Sequence, residues 1–314
     1  MIYDAVLLLS FGGPEKREDV IPFLENVLRG RNVPHERLLE VAEHYYHFDG
    51  RSPINDQCRE LIASLQSEGL ELPIYWGNRN WHPMLGDTVK EMRDAGVKRV
   101  LAIATSAFGS YSGCRQYLED IDRARAAVPD APAIDKLPPF GNHPGFIGAM
   151  TGRVGDALAK LPEAQVIYTA HSIPVSMARS SPYESQLKEA ARRVNERLGL
   201  GEPLLAYQSR SGAPSQPWLE PDIGDCIKAA DAKKIIVVPI GFLSDHMEVI
   251  YDLDVVAAQL ARERGIEFVR AGTAGTHPVF VRGLIELMRG AMPNGVTVCA
   301  PECCPRGERP GRPA

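Results

Sequence analysis

The chain has 314 residues and a net charge of −5; 44% of its residues are hydrophobic and 24% charged. This is an ordinary globular composition, long enough for two domains of roughly 150 residues or one large α/β unit. The negative balance removes any electrostatic case for nucleic acid, no apolar run reaches the ~18 residues of a membrane span, and six cysteines are too few for a secreted disulfide framework.

The opening stretch, MIYDAVLLLSFGGPE, is apolar but carries Asp4 and no positive n-region. It reads as a first strand (5–11) rather than a secretory signal, and the expected compartment is the cytoplasm. REDVIPFLENVLRG (17–30) and PHERLLEVAEHYYHF (34–48) have helical spacing. A strand LPIYWG (72–77), a helix MLGDTVKEMRDAG (84–96) and a strand RVLAIATSAF (99–108) follow. LPPFGNHPGF (137–146), rich in Pro and Gly, reads as a linker. Beyond it come QVIYTAHSI (165–173), the helix YESQLKEAARRVNERLG (183–199), LLAYQS (204–209), KIIVVPIGF (234–242), the helix DLDVVAAQLARERG (252–265) and EFVRAG (267–272). The final PECCPRGERPGRPA has neither a helical nor a core pattern and reads as an irregular tail.

Strands alternating with helices imply parallel sheets. The halves also rhyme: LLLSFGGP with IYTAHSIP, IYWGNRN with LAYQSRSG, and VLAIATSAFGSY with IIVVPIGFLSDH. The expected fold class is therefore α/β, with two similar domains at 1–146 and 147–290, a cleft between them, and a cysteine-containing tail at 291–314.

In open α/β sheets, ligands bind beyond the carboxyl ends of the strands. No nucleotide, zinc-protease or hydrolase fingerprint is present. SFGGPE (10–15) is either a tight strand-to-helix turn or a seat for a flat ligand or phosphate. His171, ending an apolar strand, is either a proton acceptor near neutral pH or a core histidine bonded to backbone. Asp245, Glu248 and Asp252 stand at i, i+3 and i+7, which puts three carboxylates on one face of a helix. Either that face is simply solvated, or its mutual repulsion is relieved by a shared proton or a divalent cation held loosely by oxygen, with His246 adding a nitrogen donor. Arg79 and Arg210 end equivalent strands and suit either carboxylate clamps or loop salt bridges. Phe11, Trp76, Trp81, Phe108, Tyr111 and Phe242 either wall a flat ligand or belong to the core. A base beside an acidic face points to chemistry that exchanges protons for a metal ion.

Taken together, LLLSFGGPE, RSPIN, GNRNWHP, TAHSIP, YQSRSGAPSQPWLEPD and PIGFLSDHMEVIYDLD resemble the ferrochelatase family, lyases of haem biosynthesis that insert ferrous iron into a porphyrin. The matching segments run from residue 6 to 254 in the family's order. The resemblance implies two Rossmann-like domains with the active site between them and a catalytic pair of His171 and Glu248. It further implies iron handling by His171, Glu248, Asp245 and Asp252, and porphyrin contacts from Phe11, Ser52, Arg79 and Tyr111. Phe11 stands where some soluble members carry Tyr, which takes a metal-ligating hydroxyl away from that wall. The charged KREDVIPFLENVLRG stands where membrane-associated members carry an apolar lip. That places the chain with the soluble branch resembling the actinobacterial type, whose substrate is coproporphyrin III. The alternatives are a protoporphyrin IX ferrochelatase, a chelatase for another tetrapyrrole and metal, and a tetrapyrrole or iron carrier without turnover. The resemblance also implies a [2Fe–2S] cluster on Cys299, Cys303 and Cys304, with Cys114 or else Cys226 as fourth ligand; zinc or idle thiols are the other readings. The expected partners are porphyrin and ferrous iron, with no nucleic acid, no integral membrane segment and a monomeric state.

Overall fold

The computed structural model describes residues 2–30, 33–212, 215–293, 295–296, 299–300 and 302–307. Of the expected tail, positions 294, 297, 298, 301 and 308–314 lie outside the described residues. In the first lobe β1 (Ala5–Ser10) leads through α1 (Val20–Leu28), α2 (His35–Tyr46) and α3 (Ile54–Ser67) to β2 (Ile74–Asn78). Helix α4 (Leu85–Asp94) leads to β3 (Arg99–Ala104), and a π-helical turn (Tyr111–Arg115) with α5 (Gln116–Ala126) leads to β4 (Ala133–Lys136). Helix α6 (Pro144–Lys160) crosses to the second lobe. There β5 (Gln165–His171), α7 (Val175–Arg179), α8 (Tyr183–Leu198), β6 (Leu204–Gln208), α9 (Ile223–Ala229) and β7 (Lys234–Val238) follow. Then come α10 (Met247–Val249), a π-helix (Ile250–Ala257), α11 (Ala258–Glu263), β8 (Glu267–Arg270) and α12 (Pro278–Ala291).

The two sheets are parallel and wound alike, in the orders β2-β1-β3-β4 and β6-β5-β7-β8. The rhyming segments occupy equivalent strands: β1 with β5, β2 with β6 and β3 with β7. The central strands are unbroken apolar runs because helices cover both of their faces. Side chains alternate, so Val6 and Leu8 of β1 join an inner core while Ala5, Leu7 and Leu9 pack outward on α4 and α5. The inner core is continuous between the lobes. Val6 and Leu8 share it with Tyr168, Ile236 and Val238 of the second sheet, and with Phe280 and Leu284 of α12. A satellite core joins α1 and α2 of the first lobe to Met247 and Ile250 of the second.

Three expectations change. The first lobe has a fourth strand, β4, which is a short edge strand (AIDK) without a β-branched run. The linker ends at His143, because His143 caps α6 and Pro144 occupies its first turn. The tail is irregular, as expected, yet Cys304 is buried, and Arg115 ties the tail down by donating to the carbonyls of Cys303 (2.9 Å) and Ala300 (2.6 Å).

Candidate active site

Alternation along β5 sends Tyr168 and Ala170 into the inner core, and Ile167, Thr169 and His171 to the opposite face. That face is covered by α10 and the π-helix, whose Val249 and Leu253 pack there. His171 is thus delivered at the strand's carboxyl end to the segment that carries Glu248. His171 Nε2 lies 3.5 Å from Glu248 Oε2. The other ring nitrogen, Nδ1, lies 2.5 Å from the Ser172 carbonyl oxygen. A carbonyl only accepts, so Nδ1 carries the hydrogen and Nε2 is the nitrogen left to face the carboxylate.

The Glu248 side chain is 49% exposed, yet it sits between the lobes. His246 Nδ1 lies 3.9 Å from its Oε2, and His44 of α2 faces it from the first lobe. Burial opposes charge on both partners of the His171–Glu248 pair, but their attraction wins. His171 is held above the usual imidazole range and Glu248 is pulled down to about 2. The pair therefore favours a charged imidazolium beside a charged carboxylate. Burial works the other way on Asp252, whose carboxyl is pushed up to about 6; the Glu248 charge adds to this, while a hydrogen bond from Ser209 Oγ opposes it. Ser209, just after β6, has φ +61°, a left-handed conformation uncommon outside glycine. Close by, the side-chain oxygens of Gln208 and Thr169 are buried without a hydrogen-bond partner.

The expected row of three carboxylates on one helix face is not what forms. Asp245 lies in the loop before α10, and its carboxylate turns away to Arg270 Nη1 (2.8 Å). From Ile250 onward the backbone is π-helical, so a 3.6-residue spacing no longer describes it. Glu248 and Asp252 remain beside His171. Among the described residues no group of three or more His, Cys, Asp or Glu is arranged to hold a single metal ion.

The other expected residues divide. Phe11 is half-buried and packs edge-on to Phe23 at 6.2 Å, and Trp81 joins it in the satellite core. Arg79 does not offer a free clamp: its side chain is 8% exposed, it is paired with Asp120, and it stacks on the Tyr117 ring at 4.6 Å. Arg210 is exposed and donates to the Gln216 carbonyl (3.1 Å). Tyr111 is buried, and its hydroxyl donates to Glu119 (2.8 Å). Phe108 belongs to the inner core against Phe146, and Trp76 donates to Asn78. Phe242 is buried against the His246 ring. Ser52 is buried against Gly13, where a Cβ would lie 2.8 Å from the Ser52 Cβ and 2.7 Å from Ile54. The Gly turn is therefore required by the close approach of α3.

Residues of α2 escape the sequence reading. His44 stacks on Tyr251 of the π-helix, with ring centroids 3.9 Å apart and planes at 11°, and His47 meets the same ring edge-on. The signal was present in EHYYH, two histidines three apart on one helical face. A cavity of about 480 Å³ also opens beside Ser172, but its lining, including Tyr207, Arg210, Asp222 and Asp225, contains neither His171 nor Glu248.

The thiols of Cys114 and Cys303 lie near enough to act on Cys299 and Cys304. Burial, then the neighbouring thiols, pushes Cys304 up to about 12 and raises Cys299. Cys303 and Cys304 Sγ are 3.7 Å apart. Cys226 lies apart from them, packed in the outer core of the second lobe.

Comparisons with known proteins identify the family and the fold. The Ferrochelatase family model matches residues 3–292. The ferrochelatase of Rhodopirellula baltica is 53% identical, over 96% of this chain and 93% of its own length. The coproporphyrin III ferrochelatase of Nocardia farcinica is 48% identical over 99% of both chains, and that of Mycolicibacterium smegmatis is 49% identical over 92% of this chain and 89% of its own. Among solved structures, the sirohydrochlorin chelatase SirB of Bacillus subtilis in complex with cobalt superposes with a TM-score of 0.60 at 11% identity, over 92% of this chain and 95% of that one, a likeness of fold. With a family model spanning nearly the whole chain and relatives at about half identity, this chain belongs to the ferrochelatase family, enzymes that insert metal into a porphyrin.

Proposed function

We propose that this enzyme inserts ferrous iron into coproporphyrin III, releasing two protons, with His171 and Glu248 as its catalytic pair. The observation that carries the mechanism is the 3.5 Å approach of His171 Nε2 to Glu248 in the space between the lobes. Two pyrrole N–H protons must leave before the metal seats in the ring. His171 Nε2 is the acceptor, and Glu248 stabilises the imidazolium that results. A proton taken by Nε2 must pass on before the next can be accepted, once for each pyrrole N–H. Asp252, ionising near pH 6, is the next carboxylate along the π-helix and can take it. Glu248 and Asp252 offer iron weak oxygen ligands that release it to the ring nitrogens. Asp245, engaged by Arg270, keeps the loop in place. Phe11 and Trp81 supply an apolar wall on the first lobe.

The substrate reading rests on relatives at 48–50% identity that are named coproporphyrin III ferrochelatases, and on the charged stretch 16–30. An anaerobic assay of ferrous iron with coproporphyrin III and with protoporphyrin IX, following loss of the free-base spectrum, tests it. Coproporphyrin III should give the higher kcat/KM; preference for protoporphyrin IX would overturn the substrate. His171→Ala should lower kcat about 100-fold or more with porphyrin binding retained, and an unchanged rate would remove His171 from the mechanism.

We also propose a [2Fe–2S] cluster on Cys114, Cys299, Cys303 and Cys304. What supports the reading is the donor chemistry: a cluster needs four ligands, Cys303 and Cys304 are neighbours at 3.7 Å, and Arg115 fastens their tail to the turn carrying Cys114; among the described residues the thiols are not drawn together as a metal-holding group. When bound, the cluster would supply a cross-link between the tail and the first lobe. Anaerobically purified, iron-replete protein should be coloured, and Cys303→Ser should bleach it; colourless wild-type protein would dismiss the cluster. The same reading carries a cytoplasmic enzyme that works as a single chain; among the described residues no helix is long and apolar enough to cross a membrane.

A further inference from the structure

Glu248 lies in α10, the first turn of a helical run that continues through the π-helix and α11 to Glu263. The run fixes the direction of the helix axis, but the loop that enters it at Asp245 and His246 is held by contacts from outside the run. From the second lobe, Gln208 Nε2 donates to the Glu248 carbonyl (3.2 Å), and Arg270 holds the Asp245 carboxylate. From the first lobe comes Gln57 of α3. The Asp245 N–H donates to Gln57 Oε1 (2.8 Å), and Gln57 Nε2 donates to the Asp245 carbonyl (3.4 Å). One side-chain amide thus engages both backbone groups of one residue, as a neighbouring strand would. Two residues earlier, Asn55 Nδ2 donates to the carbonyls of Gly13 (3.2 Å) and His82 (3.3 Å), in the loops that flank Phe11 and Trp81. The first turn of α3 therefore grips the first-lobe wall with one side chain and the loop leading to Glu248 with another.

We propose that Gln57 is a positioning residue for iron insertion: it ties the first-lobe wall to the Asp245–Glu248 turn, so that Glu248 is aligned with His171 only while the two lobes are joined. The proposal rests on the reading of Glu248 as the partner of His171. Gln57 is polar and half-buried, so Gln57→Met keeps its length and removes both hydrogen bonds, whereas Gln57→Glu keeps the acceptor for the Asp245 N–H.

In the full-length protein, Gln57→Met should lower kcat about tenfold, with KM for the porphyrin changed less than about twofold. Gln57→Glu should recover most of the loss. Amide hydrogen exchange, read on folded protein, should speed up at Asp245 in Gln57→Met and stay slow in Gln57→Glu. A kcat for Gln57→Met equal to wild type, beside a Glu248→Gln variant that has lost activity, would overturn the positioning role alone. Equal losses in Gln57→Met and Gln57→Glu would overturn it too, because the retained acceptor would then make no difference. If Glu248→Gln itself keeps the wild-type rate, the underlying reading falls and this one with it.

Discussion

His171 and Glu248 stabilise each other's charged forms, and the neighbouring Asp252 has the opposite electrostatic problem. Burial raises its carboxyl from the ordinary 3.8 to about 6. Between those two values the folded protein holds a proton that the unfolded chain has lost, so stability falls as pH rises through that window. Asp252→Asn removes the effect. The variant should melt higher than wild type above about pH 6 and gain nothing below about pH 4, as thermal unfolding at the two pH values would show. An equal gain at both would mean that the Asp252 charge is not the cause. If Asp252 receives the proton from the pair, the acid limb of kcat should also lie near pH 6 and flatten in the variant. The strand end at His171 and the acidic segment after β7 were legible as local patterns, but it was the resemblance of TAHSIP and PIGFLSDHMEVIYDLD to a family that paired His171 with Glu248. The orientation of Asp245 was not legible, because Arg270 is distant in sequence and claims its carboxylate only in the folded chain.

At the scale of elements, the third strand of each lobe runs into π-helical backbone, at Tyr111–Arg115 after β3 and at Ile250–Ala257 after β7. Such insertions gather at functional sites, and here one holds Cys114 while the other holds Asp252. The helical spacing read at 252–265 does not reveal the extra residue per turn, because the apolar pattern tolerates either winding, and the turn at Tyr111–Arg115 was not read as helical. The α1–α2 pair is a second case. Its amphipathic spacing was readable, but its partner was not: its apolar face packs on Met247 and Ile250 of the other lobe. Met247 is 2% exposed among Phe23, Leu24 and Leu38. Met247→Ala should cost about 2–5 kcal/mol, measured by denaturant unfolding, and should speed amide exchange in α1 and α2. A cost well below that range with unchanged exchange would show that the two helices do not depend on this contact.

For the whole molecule, the internal rhyme of the sequence was a sound guide to topology, since strands that rhyme occupy equivalent places in two sheets of the same order. It gave no sign that the inner faces of both sheets share one continuous core, closed by α12 against α3 and α6. The sequence by itself determined the strands other than β4 and their parallel winding, because these follow from apolar runs and turn chemistry; its motifs carried the family resemblance, and only that resemblance named the two residues that meet at 3.5 Å. The tertiary structure alone decided which charges face one another. It paired Arg79 with Asp120 and Asp245 with Arg270, left Glu248 open to His171, and brought His44 and Gln57 across from the other lobe. The physical reason is that pairing energy depends on distance and burial in three dimensions, and residues 188 positions apart become neighbours only once both lobes have packed.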